Sequence, residues 1–393
     1  MSAARPFEGG GGRPGLARRA LRPLALLAVA ATLGGCSLWP WSSSSTPLPE
    51  LPEVTGTTSV RVAWTAPMGG GGVGFQPVVV GDTIVAAGRQ GTVAWLDAAT
   101  GKTIWRTELG KPLIGGVGSD GDVTVVAGRD GTLIALDREG KEKWTTPTGA
   151  EIVTVPAVGV GLVIARGSDN RVNAYDIVTG KRRWTFERQR PPLVLRQTAV
   201  IAMDPSTAYV GLPGGRLVAL SLQTGALKWE AAVGMPRGSN EIERIADVVG
   251  SPLISGNEVC AAAWQGRLAC VDTATGRALW SRDLSAASGI DLDRRLVVAV
   301  DKTGDVHGVS RTGASVWRQD KLRRREPSAP LLSPAGAVVG DSLGILHVLA
   351  RDDGSLAARL TLDGTPVVGA PVGWRNLAVV QTTGGMLYAV AVE

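Results

Sequence analysis

The chain has 393 residues, of which 44% are hydrophobic and 19% charged, with 53 glycines, 12 tryptophans, only three cysteines and two histidines. Its formal charge is +6, but residues 1–35 alone carry five arginines against Glu8, so the remainder holds a side-chain excess of only about two. That is far short of a nucleic-acid-binding footprint, and the Val/Ala/Gly-rich composition suits β-structure.

The first element is a basic start (Arg13, Arg18, Arg19, Arg22) followed by the apolar run LALLAVAATL and then Gly34-Gly35-Cys36. This is the layout of an export signal: a charged region, a short apolar region and small residues before a cleavage point. The run is too short to span a bilayer as a stable helix. A cysteine directly after small residues resembles a bacterial lipobox, which implies cleavage after residue 35 and a lipid on Cys36. An ordinary secretory signal with an incidental cysteine is the alternative. In the resemblance an Asp next to the lipidated cysteine retains a protein at the inner membrane. The residue here is Ser37, which implies lipid anchoring at the periplasmic face of the outer membrane. Residues 36–57 are Ser/Pro-rich and read as a tether.

From about residue 58 to 393 one pattern recurs roughly every 40 residues. It is clearest in Gly91–Trp105 (GTVAWLDAATGKTIW), Gly215–Trp229 and Gly266–Trp280, looser in Gly131–Trp144 and Asn170–Trp184, and degenerate in Gly304–Trp317 and Gly344–Ala358. An eighth copy opens at Gly385 and is cut off by the C-terminus, while a tryptophan without a preceding copy, Trp64, sits at the other end. Paired apolar strand runs around turn glycines at this period predict an all-β, eight-bladed propeller of four-stranded antiparallel blades. The split copy predicts closure by an N-terminal strand near Val60–Trp64 that completes the C-terminal blade and leaves no free edge. Asp97, Asp137, Asp176 and Asp272 precede turn glycines and read as acceptors for turn amides. The seven repeat tryptophans read as packing between blades, since seven equivalent positions cannot all serve one site.

Spacing inside the pattern is nearly constant, but the intervals from each repeat tryptophan to the next pattern residue are 27, 26, 26, 31, 37, 24 and 27. The two long intervals follow Trp184 and Trp229. They enlarge successive blade-to-blade connections, which share one propeller face, and so build one protruding patch. The first contains RPPLVLRQ, where Leu193, Leu195 and Arg196 combine apolar anchors with a multidentate donor. Alternatively, the two leucines begin the next blade and are buried.

With Cys36 assigned to lipid, Cys260 and Cys270 remain. A two-residue turn at Gln265-Gly266 would place Cys260 opposite Val271 and Cys270 opposite Ala261, with the sulfurs on opposite sides of the sheet, so two buried free thiols are expected. His307 and His347 share one repeat position, which predicts a structural role. The basic run Lys321–Arg325 reads as a solvated turn. No nucleophile elbow, zinc-protease or haem-attachment motif occurs, and the glycine run at residues 69–74 does not open a βαβ unit. No cofactor, metal or catalytic residue is expected.

The repeat resembles the tryptophan-docking motif of pyrroloquinoline-quinone dehydrogenases. That resemblance would imply a vicinal disulfide and a calcium site beside the quinone, yet the chain has no adjacent cysteines. Lipobox, tether, eight blades and length together resemble the BamB family, lipoproteins of the outer-membrane β-barrel assembly (Bam) complex. The local match lies in Leu193-Val194-Leu195-Arg196 and in Glu241–Val249. It implies that Leu193, Leu195, Arg196 and Asp247 bind BamA, the barrel-forming subunit, with the chain monomeric inside the complex and other Bam subunits reached through BamA. Unfolded outer-membrane proteins are a further candidate partner. The family usually has a second acidic residue two positions after Asp247; this chain has Val249. A quinone-dependent periplasmic oxidoreductase, or a propeller lipoprotein serving another envelope partner, remain the alternative readings.

Overall fold

The computed structural model describes residues 48, 50–54, 56, 58–189, 191, 193–195 and 199–393. The export signal, Cys36, most of the tether and Arg196 therefore lie outside the described residues. Among the described residues the regular structure is all strand, arranged as eight four-stranded antiparallel sheets and one short parallel pair, Thr154–Val155 with Ala199–Val200. Blade 1 runs from Val78–Val80 through Thr83–Ala87 and Thr92–Asp97 to Thr103–Glu108. Blades 2 to 7 repeat this order, ending on the outer strands Glu142–Pro147, Arg182–Phe186, Leu227–Ala232, Ala278–Asp283, Ser315–Gln319 and Leu356–Thr361. The first strand of each blade touches the first strand of the next around the full circle, and blade 8 returns to blade 1. These strands therefore line the axis.

Blade 8 is built as the split repeat requires. Val372–Trp374, Leu377–Gln381 and Met386–Val392 come from the C-terminus, and Val60–Pro67 pairs antiparallel with Met386–Val392 as the outermost strand. The core across this seam mixes the two ends of the chain, with Trp64, Ala66 and Met68 packed with Ile84, Leu96, Leu377 and Leu387. Middle strands such as Thr124–Gly128 and Leu377–Gln381 are buried on both faces, which explains why the sequence is apolar throughout rather than alternating.

Each repeat tryptophan lies on the outer strand and packs against the turn glycine of the next blade. The Trp184 ring covers Gly225, where a Cβ would stand 2.6 Å from Cε3, and its indole N–H donates to the Leu222 carbonyl at 2.7 Å. Trp64 does the same at Gly101 and Ala98, and Trp229 at Gly276 and Thr273. Glycine is required there twice over, because φ at Gly225 is +72° and no side chain fits under the indole. The repeat aspartates are turn ties as expected. Asp97 Oδ1 accepts from the amide and hydroxyl of Thr100, and Asp272 Oδ1 from those of Thr275. The threonine hydroxyl, then its amide, holds both carboxyls below the usual carboxylate range.

The cysteine expectation is corrected. Cys260 and Cys270 are directly opposite, with Cα atoms 4.0 Å apart, and form a disulfide. The last ladder pair is Ala262 with Leu268, so the turn holds five residues rather than two, with Gln265 at φ +49°. Blades 1 and 2 use turns of the same length, from Gly88 to Thr92 and from Gly128 to Thr132, bridged in blade 1 by the Gly88 amide on the Thr92 carbonyl. One residue of register decides which side chains face each other.

Candidate partner-binding face

Adjacent strands in a blade alternate direction. The turn between second and third strands therefore lies on the same propeller face as the connection to the next blade, and the remaining turns lie on the other. The two enlarged connections, residues 187–201 and 233–247, meet on the first of these faces.

Asp247 joins them. It is 5% exposed, and its Oδ2 accepts the Leu195 amide at 2.5 Å while Oδ1 accepts the Gly214 amide at 2.9 Å. Its carbonyl accepts the Trp264 amide at 2.8 Å. One residue thus fastens the leucine strip, the blade 4 turn and the blade 5 turn together. The structure brings Asp247 and Leu195 into contact, with the carboxylate turned inward onto the strip. Leu193 is 44% exposed; Leu195 is half-buried against the core that contains Val249 and the cysteine pair. Leu195 therefore backs the surface on which Leu193 stands. Arg196 lies outside the described residues.

Sequence reasoning passed over Trp264. It stands in the blade 5 turn, outside the repeat position of the docking tryptophans, and that misplacement was the available signal. Its side chain is half-buried against the same core as Leu195. In the orientation that satisfies both amide atoms, Gln265 accepts the Trp264 indole N–H at 3.2 Å and donates to the Glu243 carbonyl at 2.5 Å. The second loop is organised from within as well. Glu243 Oε2 accepts the Ser239 amide at 2.8 Å and hydroxyl at 3.0 Å, and Asn240 Oδ1 accepts the Glu243 amide at 2.9 Å.

The histidines occupy equivalent places, each bonded through Nε2 to an aspartate six residues earlier: His307 to Asp301 at 2.8 Å and His347 to Asp341 at 3.1 Å. Asp301, Asp305 and His307 bring ligating atoms within 4.8 Å of one another. Those atoms are committed inside the chain, Asp305 to Arg318 and Arg323 and Asp301 to Thr303 and His307. Glu258 is paired with Arg311 and the two nearby cysteines with each other. A cavity of about 620 Å³ between the first strands of blades 5, 6, 7 and 8 and the segment leading into blade 1 is lined by Gly74, Ser251, Ser288, Asp291, Lys302 and Glu326 among others. Burial pushes the Asp291 carboxyl up, yet it accepts the Leu332 amide at 2.6 Å and so serves to join blades 6 and 7.

A closed ring of eight four-stranded blades, docked tryptophan on glycine, defines a propeller of the quinoprotein type. The family model described as "Outer membrane protein assembly factor BamB" matches residues 51–115 and 89–319. A protein of that name from Bordetella pertussis is 39% identical over 381 residues, covering 96% of this chain and 98% of its own. Another from Burkholderia pseudomallei is 40% identical over 376 residues, covering 95% and 98%. The crystal structure of BamB from Moraxella catarrhalis superimposes with a TM-score of 0.78 at 26% identity, over 85% of this chain and all of that one. The chain belongs to the BamB family. A quinohemoprotein alcohol dehydrogenase from Comamonas testosteroni shares the fold alone, with a TM-score of 0.67 at 16% identity over 84% of this chain and 76% of that one.

Proposed function

We propose that the chain is a non-catalytic scaffold subunit of the outer-membrane β-barrel assembly machinery, held at the periplasmic face of the outer membrane by a lipid on Cys36 and binding a periplasmic domain of BamA. Relatives named as outer membrane protein assembly factors, aligned nearly end to end, support the assembly role. The observation that carries the binding reading is the Asp247 tie, which holds two oversized connections as one platform with Leu193 on its surface. A preformed platform lowers the ordering cost of association. Side chains suited to acid–base chemistry are instead engaged in pairs that hold blades together, which favours a scaffold over an enzyme.

The test is co-purification of BamA with the lipidated chain from detergent-solubilised membranes, comparing wild type with the Leu193→Ala/Leu195→Ala/Arg196→Ala variant. The triple variant should lose most of its BamA while keeping the circular-dichroism spectrum and melting profile of the folded propeller. Loss of a central contact costs ~2 kcal/mol, about 30-fold in affinity. Unchanged recovery by the folded variant would place the contact elsewhere, and co-purification of a different envelope protein would replace the partner.

A further inference from the structure

The second enlarged loop carries features that neither the leucine strip nor the blade fold uses. Met235 and Ile242 are 51% and 69% exposed, although most large apolar side chains of the chain are buried. Beside Met235 the surface dips into a notch of about 110 Å³, lined by Val233, Met235, Arg237, Gln265, Arg267 and Asp283. Arg267 is paired with Asp283 at 2.9 Å. Neither Arg237 nor Arg244 has an acidic partner among the described residues. Of the loop's three carboxylates, Asp247 is spent on the Leu195 and Gly214 amides and Glu243 on Ser239, leaving Glu241 against two guanidinium groups.

The loop is nonetheless ordered. Glu243, Asn240 and Gln265 satisfy its backbone from inside, so the apolar and cationic side chains are presented outward on a settled frame. The blade fold gains nothing from this arrangement. A methionine and an unpaired arginine at a small pit, with an exposed isoleucine on the same loop, are the components of a recognition surface. The surface is also continuous with the leucine strip, because Asp247 fixes the start of the blade 5 strand that leaves this loop to both the Leu195 amide and the Trp264 turn.

We propose that residues 235–244 form the second half of the partner-binding face, seating a segment of the periplasmic partner that combines an apolar side chain with a carboxylate. The apolar group packs between Met235 and Ile242, and the carboxylate reaches into the notch to Arg237. This rests on the binding role proposed above and enlarges its surface beyond Leu193, Leu195 and Arg196.

The test measures affinity of the purified full chain for the BamA periplasmic domains by titration, for five variants beside wild type: Met235→Ala/Ile242→Ala, Arg237→Glu, Arg237→Lys, the leucine-strip triple, and Val178→Ala. The last removes an exposed apolar side chain from the opposite face and should bind as wild type. The Met235/Ile242 pair and the Arg237→Glu reversal should each weaken binding about tenfold or more, with melting unchanged because none of these side chains supports the fold. Arg237→Lys should restore most of the affinity lost on reversal. If the strip triple loses affinity while folded Met235/Ile242 and Arg237 variants bind normally, the proposed second half is wrong and the strip stands alone. If the loop variants lose affinity and the triple does not, the loop is the contact and the strip is not. Normal binding by all of them overturns both.

Discussion

Two connections on the same propeller face use similar residues in opposite ways. The blade 6 to blade 7 connection holds the basic run Lys321–Arg325, which in sequence reads as a solvated turn. In the fold it is partly drawn inward. Leu322 is fully buried, Arg323 clamps the buried Asp305, and Arg325 is buried against Asp341, whose other neighbour is His347. The blade 4 to blade 5 connection is ten residues longer than that one by repeat spacing, and its Arg237 and Arg244 face solvent beside Met235 and Ile242. Buried aspartates make the difference. Where a blade supplies an inward carboxylate, basic residues become part of the fold; where the carboxylate is Asp247, already bonded to two amides, the arginines remain available to a partner.

Both connections depend on a closed ring, so the largest effect comes from opening it. Deleting residues 381–393 removes the strand that pairs with Val60–Pro67 and exposes a sheet edge. The cooperative thermal transition should disappear, as followed by circular dichroism. A truncated chain that melts like wild type would show that each half of the ring stands by itself.

The next test separates a structural connection from a recognition loop directly. Asp341→Ala takes the carboxylate from buried Arg325 and from His347, a change expected to destabilise by about 3–5 kcal/mol in denaturant unfolding. Asp247→Ala leaves two amides without an acceptor and should cost about 1–3 kcal/mol. It should also loosen Leu193–Leu195 to limited proteolysis and weaken partner binding through that loosening. Equal costs would erase the distinction drawn between the two loops.

The ring, its blade count and its closing strand were legible in the sequence because each is written locally: a period, a tryptophan over the glycine of the next copy, and one copy split between the termini. The oversized connections were legible as lengths. What they do with their side chains was not. The Asp247–Leu195 contact joins residues 52 apart, and nothing near Asp247 signals that its carboxylate turns inward. The register of the cysteine hairpin escaped for a related reason. Its five-residue turn is fixed by the left-handed Gln265 and by the Asp247 carbonyl capturing the Trp264 amide, neither of which a Gln-Gly pair announces. Lys321–Arg325 misled because charge in a loop says nothing of which carboxylates wait beneath it.

That hairpin supplies the next test, because its disulfide lies under the recognition side of the face. Cys260→Ser/Cys270→Ser opens a link between residues ten apart, worth roughly 2–3 kcal/mol in the loop-entropy treatment. The two-dalton mass difference on reduction, in the absence of alkylation, checks that the bond is present. Since Leu195 and Trp264 pack on the same core as the cysteines, the double variant should lose partner affinity along with stability. The blade 6–7 connection should be untouched, as judged by hydrogen exchange at residues 322–328.

The smallest expected effect distinguishes the two connections by acidity. His347 is fully buried, and burial pulls its pKa below the ordinary 6.5, against the opposing pull of Asp341. At pH 7 the ring is neutral folded or unfolded, so the shift has no consequence. As the pH falls below 6.5 the unfolded chain takes up a proton that the folded chain resists, so stability is lost progressively until the folded pKa is passed. The aspartates of the fold add their own losses only further down, since carboxyls held below 3.8, such as Asp341 and Asp305, stay ionised in the folded state until the medium is more acidic. Denaturant unfolding between pH 7 and 5 should therefore show a downward slope in wild type that flattens in His347→Gln, which keeps a hydrogen-bonding group beside Asp341 without a proton to gain. Partner affinity over the same interval should not follow that slope, because the recognition loop contains no histidine. An unchanged slope in His347→Gln would assign the pH dependence to another group and remove the acid sensitivity claimed for the blade 6–7 connection.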